Sequence, residues 1–354
     1  MGSLRKIRDR IHSVEMTRQM TSSMKIVAVS RLKRKHAAFL KAIPFADEMN
    51  RVVRRLIRSL KMKQEMSVWK NNPENVKWPP LLNGNGQENR YMVVMITSDD
   101  GLSGTSSLQV ISATRKVIEY LKEQKREIFV VAYGVRGADA LKRSCPDVNV
   151  IVIHSKKTKE MSAYLNAERL TGDIIKSFSR DRFDVCLVVY NQFKSIVIQT
   201  PIVEQVIPNK IFLKENPWAF LSEIDIPAEQ KKKILHKSPF LSAIGGVDVL
   251  SSLKGAIFKT DLSGGKRSPY LYDYEPSEMG LLTHILPRYL TAYIYRVILE
   301  AEVSDNAARL MAMDNATRNA GDMLNDLDRN YRRMRQTRIT TDIAEVSGGS
   351  AQGG

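Results

Sequence analysis

From Ser277 to Ser347 the chain holds one proline, Pro287, and its apolar residues recur at helical spacing. Leu282, Ile285, Leu286, Leu290, Tyr293, Ile294, Val297 and Ile298 make a broad apolar face. Leu324, Leu327, Tyr331 and Met334 follow at intervals of three, four and three, and Ile339, Ile343 and Val346 continue at four and three. At 1.5 Å per residue, roughly 70 helical residues reach on the order of 100 Å. A globular helix usually stops after three or four turns. A stripe of that length needs a partner to cover it.

The N-terminal end offers one. Leu4, Ile7, Ile11 and Val14 lie at three, four and three. Met20, Met24 and Val27 are expected to resume the stripe after a break in phase, and Val53, Leu56 and Leu60 to carry it on. Pro44 is expected to kink or reset this helix. Neither end buries its stripe alone, which predicts an antiparallel coiled coil of the two ends of one chain. Helices packed into a compact bundle are the alternative. Charge favours the pairing: residues 1–65 carry 17 Lys/Arg against 5 Asp/Glu, and residues 271–354 carry 9 against 12. Most of the net charge of +17 therefore sits on the N-terminal helix, where it suits an acidic protein surface or a polyanion.

The middle has a different period. Asn71–Arg90 holds Pro73, Pro79, Pro80, Gly84 and Gly86 and reads as a linker. Tyr91–Ile96, Ile128–Ala132, Val148–Ile153 and Val185–Tyr190 read as strands, and Ser195–Thr200 as an edge strand. Leu108–Lys125 and Ala163–Ser179 read as helices. Such alternation predicts a small parallel or mixed sheet flanked by helices. Val206–Arg267, with four prolines, the run Lys231–Lys233 and two Gly-Gly pairs, reads as a long insertion. The expected architecture is α/β: a coiled coil of the N- and C-terminal helices with a central Rossmann-like domain. The expected divisions are 1–70, 91–204, 205–270 for the insertion, and 271–354.

Catalytic patterns fail one by one. Asp99-Asp100-Gly101-Leu102-Ser103-Gly104 joins a strand to a helix, where an α/β protein places a phosphate loop or nucleophile, but it is neither G-x-S-x-G nor G-x-G-x-x-G. A tight turn capped by Asp99 or Ser98 is the expectation there. Gly265-Lys266 is flanked by the wrong residues for a P-loop. The five histidines show no metal-ligand spacing, and Cys145 and Cys186 form no CxxC. No run of 18 apolar residues occurs, so no membrane span is expected. The reading is a chain with no catalytic residues, cofactor or metal of its own.

Several stretches, in order, resemble one family. Ser22-Ser23-Met24-Lys25-Ile26-Val27-Ala28-Val29-Ser30-Arg31-Leu32 and Pro44-Phe45-Ala46-Asp47-Glu48-Met49 are similar to the N-terminal helix of F-type ATP synthase gamma subunits. Ser98–Gly104 resembles that family's S-D-R-G-L-C-G turn, with Asp100 in place of arginine and Ser103 in place of cysteine. Tyr190–Ser195 resembles its last strand region. Ala307–Ala320 gives the strongest match, continued by Tyr331, Arg335-Gln336 and Ile343–Gly348, with wording most like alphaproteobacterial or mitochondrial members.

The resemblance implies a central rotor shaft inside a hexamer of alpha and beta subunits. Its α/β domain would rest on the c-ring beside epsilon (or the mitochondrial delta). It also implies subunit contacts at Met24, Arg309, Arg335, Gln336, Asp99 and Asp100, with Arg335 and Gln336 meeting an acidic loop of the beta subunits. The expected place is peripheral, on the cytoplasmic face of a bacterial inner membrane or the matrix face of the mitochondrial one, with no nucleic acid bound and no direct insertion. Two other readings stay open from the residues alone. One is a basic coiled-coil nucleic-acid binder, and the other an α/β enzyme built on the Asp99–Gly104 turn.

Overall fold

A computed structural model describes residues 2–65, 78–153, 161–209, 218, 275 and 277–350. The chain divides into two compact units, Met1–Arg31 with Arg309–Gly354, and Leu32–Ala308. Two long helices contribute to both: α1 (Gly2–Glu65) and α6 (Glu278–Ser350).

In the first unit α1 and α6 pair antiparallel. Arg8 donates to the Tyr331 hydroxyl at 3.0 Å, Thr317 to the Thr21 hydroxyl at 2.9 Å, and Lys25 meets Asp314 at 2.9 Å. The seam on α1 runs through Leu4, Ile7, Ile11, Val14, Thr21, Lys25 and Ala28, at steps of three and four, with the exposed Arg18 at the position between Val14 and Thr21. Met20, Met24 and Val27 are therefore not on it: they are 60 %, 37 % and 50 % exposed. The reason is geometric. A seam stays on its partner only with a mean repeat of 3.5 residues. A run at steps of four, as in Met16, Met20 and Met24, turns about 40° off the line at each step. On α6, Leu324 is buried and Leu327, Tyr331 and Met334 are partly covered, as the spacing predicts. Ile339 and Ile343 are instead exposed. With Arg8 opposite Tyr331, Gly2 falls opposite about Thr337, and Ile339 and Ile343 lie past the described part of α1.

In the second unit the same two helices also run antiparallel, with Lys35 paired to Glu302 at 2.8 Å and Ser59 donating to Glu278 at 2.9 Å. Phe39, Ala42, Ala46, Val53, Leu56 and Leu60 of α1 are buried, so the seam holds its phase across Pro44 and is not reset. Val53, Leu56, Ile57 and Leu60 pack with Leu282, Leu286 and Tyr289 of α6. The last part of the expected linker joins them: Trp78, Leu81 and Leu82, around the short helix α2 (Pro80–Asn83), cover this cluster.

The rest of this unit is a five-stranded sheet in the order β3-β2-β1-β4-β5. Its strands are β1 (Arg90–Ile96), β2 (Glu127–Tyr133), β3 (Asn149–Ile153), β4 (Val185–Phe193) and β5 (Gln199–Ile207). All neighbours are parallel except β4 and β5. Three helices belong to it: α3 (Ser106–Glu123), α4 (Val135–Ser144) and α5 (Met161–Ser179). Alternation sorts the side chains by face. Tyr91, Val93 and Met95 point to α3 and α4, and Met92, Val94 and Ile96 to α5 and α6.

Two expectations change here. The edge strand is Gln199–Ile207 rather than Ser195–Thr200, because antiparallel pairing with β4 extends it to Ile207. Val206 and Ile207, read as the start of the insertion, are core residues at 3 % and 1 % exposure. Trp218 is buried edge-on against Tyr91 and Tyr120 and donates its indole N–H to Gln205 at 3.1 Å. The remaining features of the insertion, from its lysine run to its glycine pairs, lie outside the described residues.

Candidate functional site: subunit-contact surfaces

In the first unit the outward side of α1 presents Met16, Met20, Met24, Ile26 and Val27. These apolar side chains have been left to solvent by a seam that passes through Thr21 and Lys25. An exposed apolar stripe of this kind is suited to cover by another surface. Met24 belongs to it.

Arg335 and Gln336 lie exposed on α6, within a basic band that also holds Arg329, Arg332, Arg333 and Arg338. Arg329 and Arg338 pair along the helix with Asp326 and Asp342 at 3.7 and 3.8 Å. Arg332, Arg333 and Arg335 have no ion pair among the described residues. A planar guanidinium fork kept clear of its own carboxylates suits a carboxylate brought by another chain. Arg309 differs, being only 9 % exposed, so its side chain is taken up within the chain.

The Asp99–Gly104 turn is a local structural device. Asp99 accepts from the Val135 backbone N–H at 2.8 Å and so caps α4, not the helix that follows it in sequence. The Ser98 hydroxyl donates to the Asp100 carbonyl at 2.9 Å. The cap requires α4 to start hard against the turn, and Gly134 permits this: its φ is +105°, and a Cβ there would sit 2.3 Å from the Thr97 carbonyl oxygen. The Arg136 guanidinium lies over Gly101, where a Cβ would meet its Nη2 at 2.6 Å. A cation therefore stands beside the turn even though Asp100 occupies the place of the motif arginine.

Sequence reading missed a buried polar cluster where α6 crosses the sheet. Arg296 and Glu300 pair along α6 at 3.5 Å. Glu300 accepts from the Phe193 backbone N–H of β4 at 3.3 Å. The Tyr293 hydroxyl donates to Glu204 of β5, and the Tyr190 hydroxyl lies against Arg296. Burial pushes the Glu300 carboxyl up to about 7; the Glu204 carboxylate adds to this, while Arg296 and the Phe193 N–H oppose it. Burial and the same carboxylate raise Tyr293. The signal was present in the sequence: an i,i+4 Arg–Glu pair inside an otherwise apolar run.

The chain is similar to known proteins along nearly its whole length. Residues 3–352 match the family model described as ATP synthase. The ATP synthase gamma chain of Rhodospirillum rubrum is 31 % identical over 350 residues, covering 99 % of both chains. Those of Granulibacter bethesdensis and Paracoccus denitrificans are 32 % and 30 % identical with the same coverage. Among solved structures, a chain of the Euglena gracilis mitochondrial ATP synthase, OSCP/F1/c-ring in rotational state 3, superposes with a TM-score of 0.53 at 15 % identity, covering 99 % of this chain and 94 % of that one. A chain of the Tetrahymena thermophila mitochondrial ATP synthase central stalk/c-ring gives 0.50 at 17 % identity, covering 84 % and 99 %. At those identities the likeness is one of fold. Matched from residue 3 to residue 352, and nearly a third identical to gamma chains over that length, the chain belongs to the ATP synthase gamma-chain family.

Proposed function

We infer that the chain, as a gamma subunit of an F-type ATP synthase, works as its non-catalytic rotor and couples rotation of a c-ring to ATP synthesis or hydrolysis at an alpha/beta hexamer. The α1–α6 coil of the first unit stands inside that hexamer. The sheet of the second unit rests on the c-ring beside epsilon, or its mitochondrial counterpart delta. The shaft turns, and each beta site passes through states of different nucleotide affinity because it meets a different side of the coil. This is a population shift driven by differential contact. Met24 and its apolar neighbours form one bearing surface, and Arg335 with Gln336 engages the acidic loop of beta. Arg309 acts from within the coil, and Asp99 and Asp100 shape a turn of the sheet domain.

The observation that carries this reading is the family match over residues 3–352, laid onto an antiparallel coil with an outward apolar stripe. No helix among the described residues is long and apolar enough to cross a membrane, which suits a subunit held at the membrane by its neighbours. The relatives above are alphaproteobacterial, which favours the cytoplasmic face of a bacterial inner membrane over the mitochondrial matrix face. The test is co-expression with alpha and beta subunits. The tagged chain is expected to bring both down in a complex that hydrolyses ATP. A chain that purifies alone, with alpha and beta present and folded, contradicts the reading.

A further inference from the structure

Where α6 crosses the second face of the sheet, Leu290, Ile294, Val297 and Ile298 join a cluster with Val94, Ile96, Val188 and Val206. Apolar contact of this kind is strong but has no direction. It resists separation better than it resists a helix sliding along, or turning upon, the surface beneath it. The polar groups beside it supply direction. Tyr293 is bonded to Glu204 on β5, and Glu300 to the Phe193 N–H on β4. One turn further on, Ser304 donates to the Asn191 carbonyl at 2.9 Å. Asn191 in turn donates its amide to the Ser106 hydroxyl at 2.8 Å, at the start of α3. The attachments on α6 run from Tyr293 to Ser304, about 16 Å along the axis. They hold two strands and, through Asn191, a third element.

Stability does not require such a set. The Arg296 and Glu300 side chains are 10 % and 6 % exposed, and buried ion pairs often give way to apolar residues of similar volume without loss. What an apolar replacement does not give is resistance to shear. We propose that the Arg296–Glu300–Glu204 cluster, with Tyr293 and Ser304, is the joint that delivers torque between the sheet domain and the shaft helix α6. Its residues position the sheet and touch no reacting atom. The proposal rests on the rotor reading above. It adds that mechanical load passes through named bonds rather than through the apolar face as a whole.

Under load the joint and the apolar face part company, so the test compares a loaded with an unloaded reaction in the assembled enzyme. The double variant Arg296→Met with Glu300→Leu is built into the complete ATP synthase in vesicles. ATP hydrolysis by the detached alpha–beta–gamma complex, where nothing opposes rotation, should stay within about twofold of wild type. ATP synthesis against a high phosphate potential, and protons pumped per ATP hydrolysed, should fall severalfold. The single variant Glu300→Gln, whose amide oxygen still accepts from the Phe193 N–H, should keep a good part of the coupling that the double variant loses. If synthesis and pumping keep pace with hydrolysis in the assembled double variant, the proposal is wrong. Should that variant fail to assemble, Tyr293→Phe with Ser304→Ala carries the same comparison, and a parallel loss of loaded and unloaded activity overturns the joint. Failure of the wild-type chain to assemble with alpha and beta would instead count against the rotor reading.

Discussion

Asp314→Leu should loosen the first unit more than Lys25→Met, and the two together should cost less than Asp314→Leu alone. Lys25 and Asp314 meet at 2.9 Å across the seam, with side chains 18 % and 6 % exposed. Asp314 also holds Arg318 at 3.1 Å on its own helix. Removing the carboxylate strips both cations of it, whereas removing Lys25 leaves Asp314 still facing Arg318. Losing one partner of a fully buried pair costs 3–5 kcal/mol; with Lys25 partly solvated the cost of Asp314→Leu is about 3 kcal/mol. Lys25→Met, with Arg318 in place, costs about 1 kcal/mol, and the double replacement by apolar side chains of similar size about the same or less. The coupling between the two sites is then about 3 kcal/mol, well beyond what independent positions show. Amide hydrogen exchange is the assay, because it reads opening of the coil without requiring the whole chain to unfold in one step. Three kcal/mol corresponds to exchange about 150-fold faster around Thr21–Ala28 and Met313–Ala320. Equal acceleration by the two single variants, or additive effects in the double, would refute the idea that this pair is a specific element of the seam.

Two further outcomes follow from exposed and buried charge. Arg335→Ala with Gln336→Ala should leave exchange protection of the coil unchanged, because both side chains are exposed, yet should slow ATP hydrolysis by the assembled complex and weaken proton pumping; full activity in an assembled double variant removes them from the contact surface. Glu300, raised by burial to about 7, binds its proton more tightly in the folded chain than in the unfolded one. As pH rises from about 4.5 to 7 the unfolded state releases that proton first, so wild type should lose up to about 3 kcal/mol relative to Glu300→Gln over this window and no more above it. Glu204 on β5, Tyr190 on β4, Tyr293 and Arg296 on α6, and Asp47 on α1 share this environment, so the quantity to follow is the wild-type minus variant difference in denaturant midpoint with pH. A flat difference would show that Glu300 titrates normally.

The two long helices and four of the five strands were legible because period survives in a single sequence. Leu324, Leu327, Tyr331 and Met334 announce a 3.5-residue seam, and Tyr91–Ile96 a strand buried on both faces. The seam between Arg18 and Lys25 was not legible, for a physical reason. Hydropathy selects Met20, Met24 and Val27, but coil geometry selects the line through Thr21 and Lys25, whose partners Thr317 and Asp314 lie almost 300 residues away. Helix α4 was missed because Gly134 and Gly137 look like loop residues. Their role, close approach to Thr97, shows only once β1 and β2 are side by side. The contact candidates were read from motif likeness. Of these, Met24, Arg335 and Gln336 are exposed. Asp99 proves to be a cap, and Arg309 is buried. The Arg296–Glu300–Glu204 cluster escaped because one of its carboxylates comes from β5, which the sequence reading had placed elsewhere.

Rotation of the chain within its complex is the most direct measurement. A cysteine in place of Leu108, exposed on α3, is labelled with a bead after Cys145 and Cys186 are replaced. The alpha and beta subunits are fixed to a surface and ATP is added. The account predicts that the bead turns continuously in one direction, and stops when ATP is withdrawn. A bead that stays fixed, or moves without direction, on complexes that hydrolyse ATP at the normal rate would contradict the claim that this chain is the shaft.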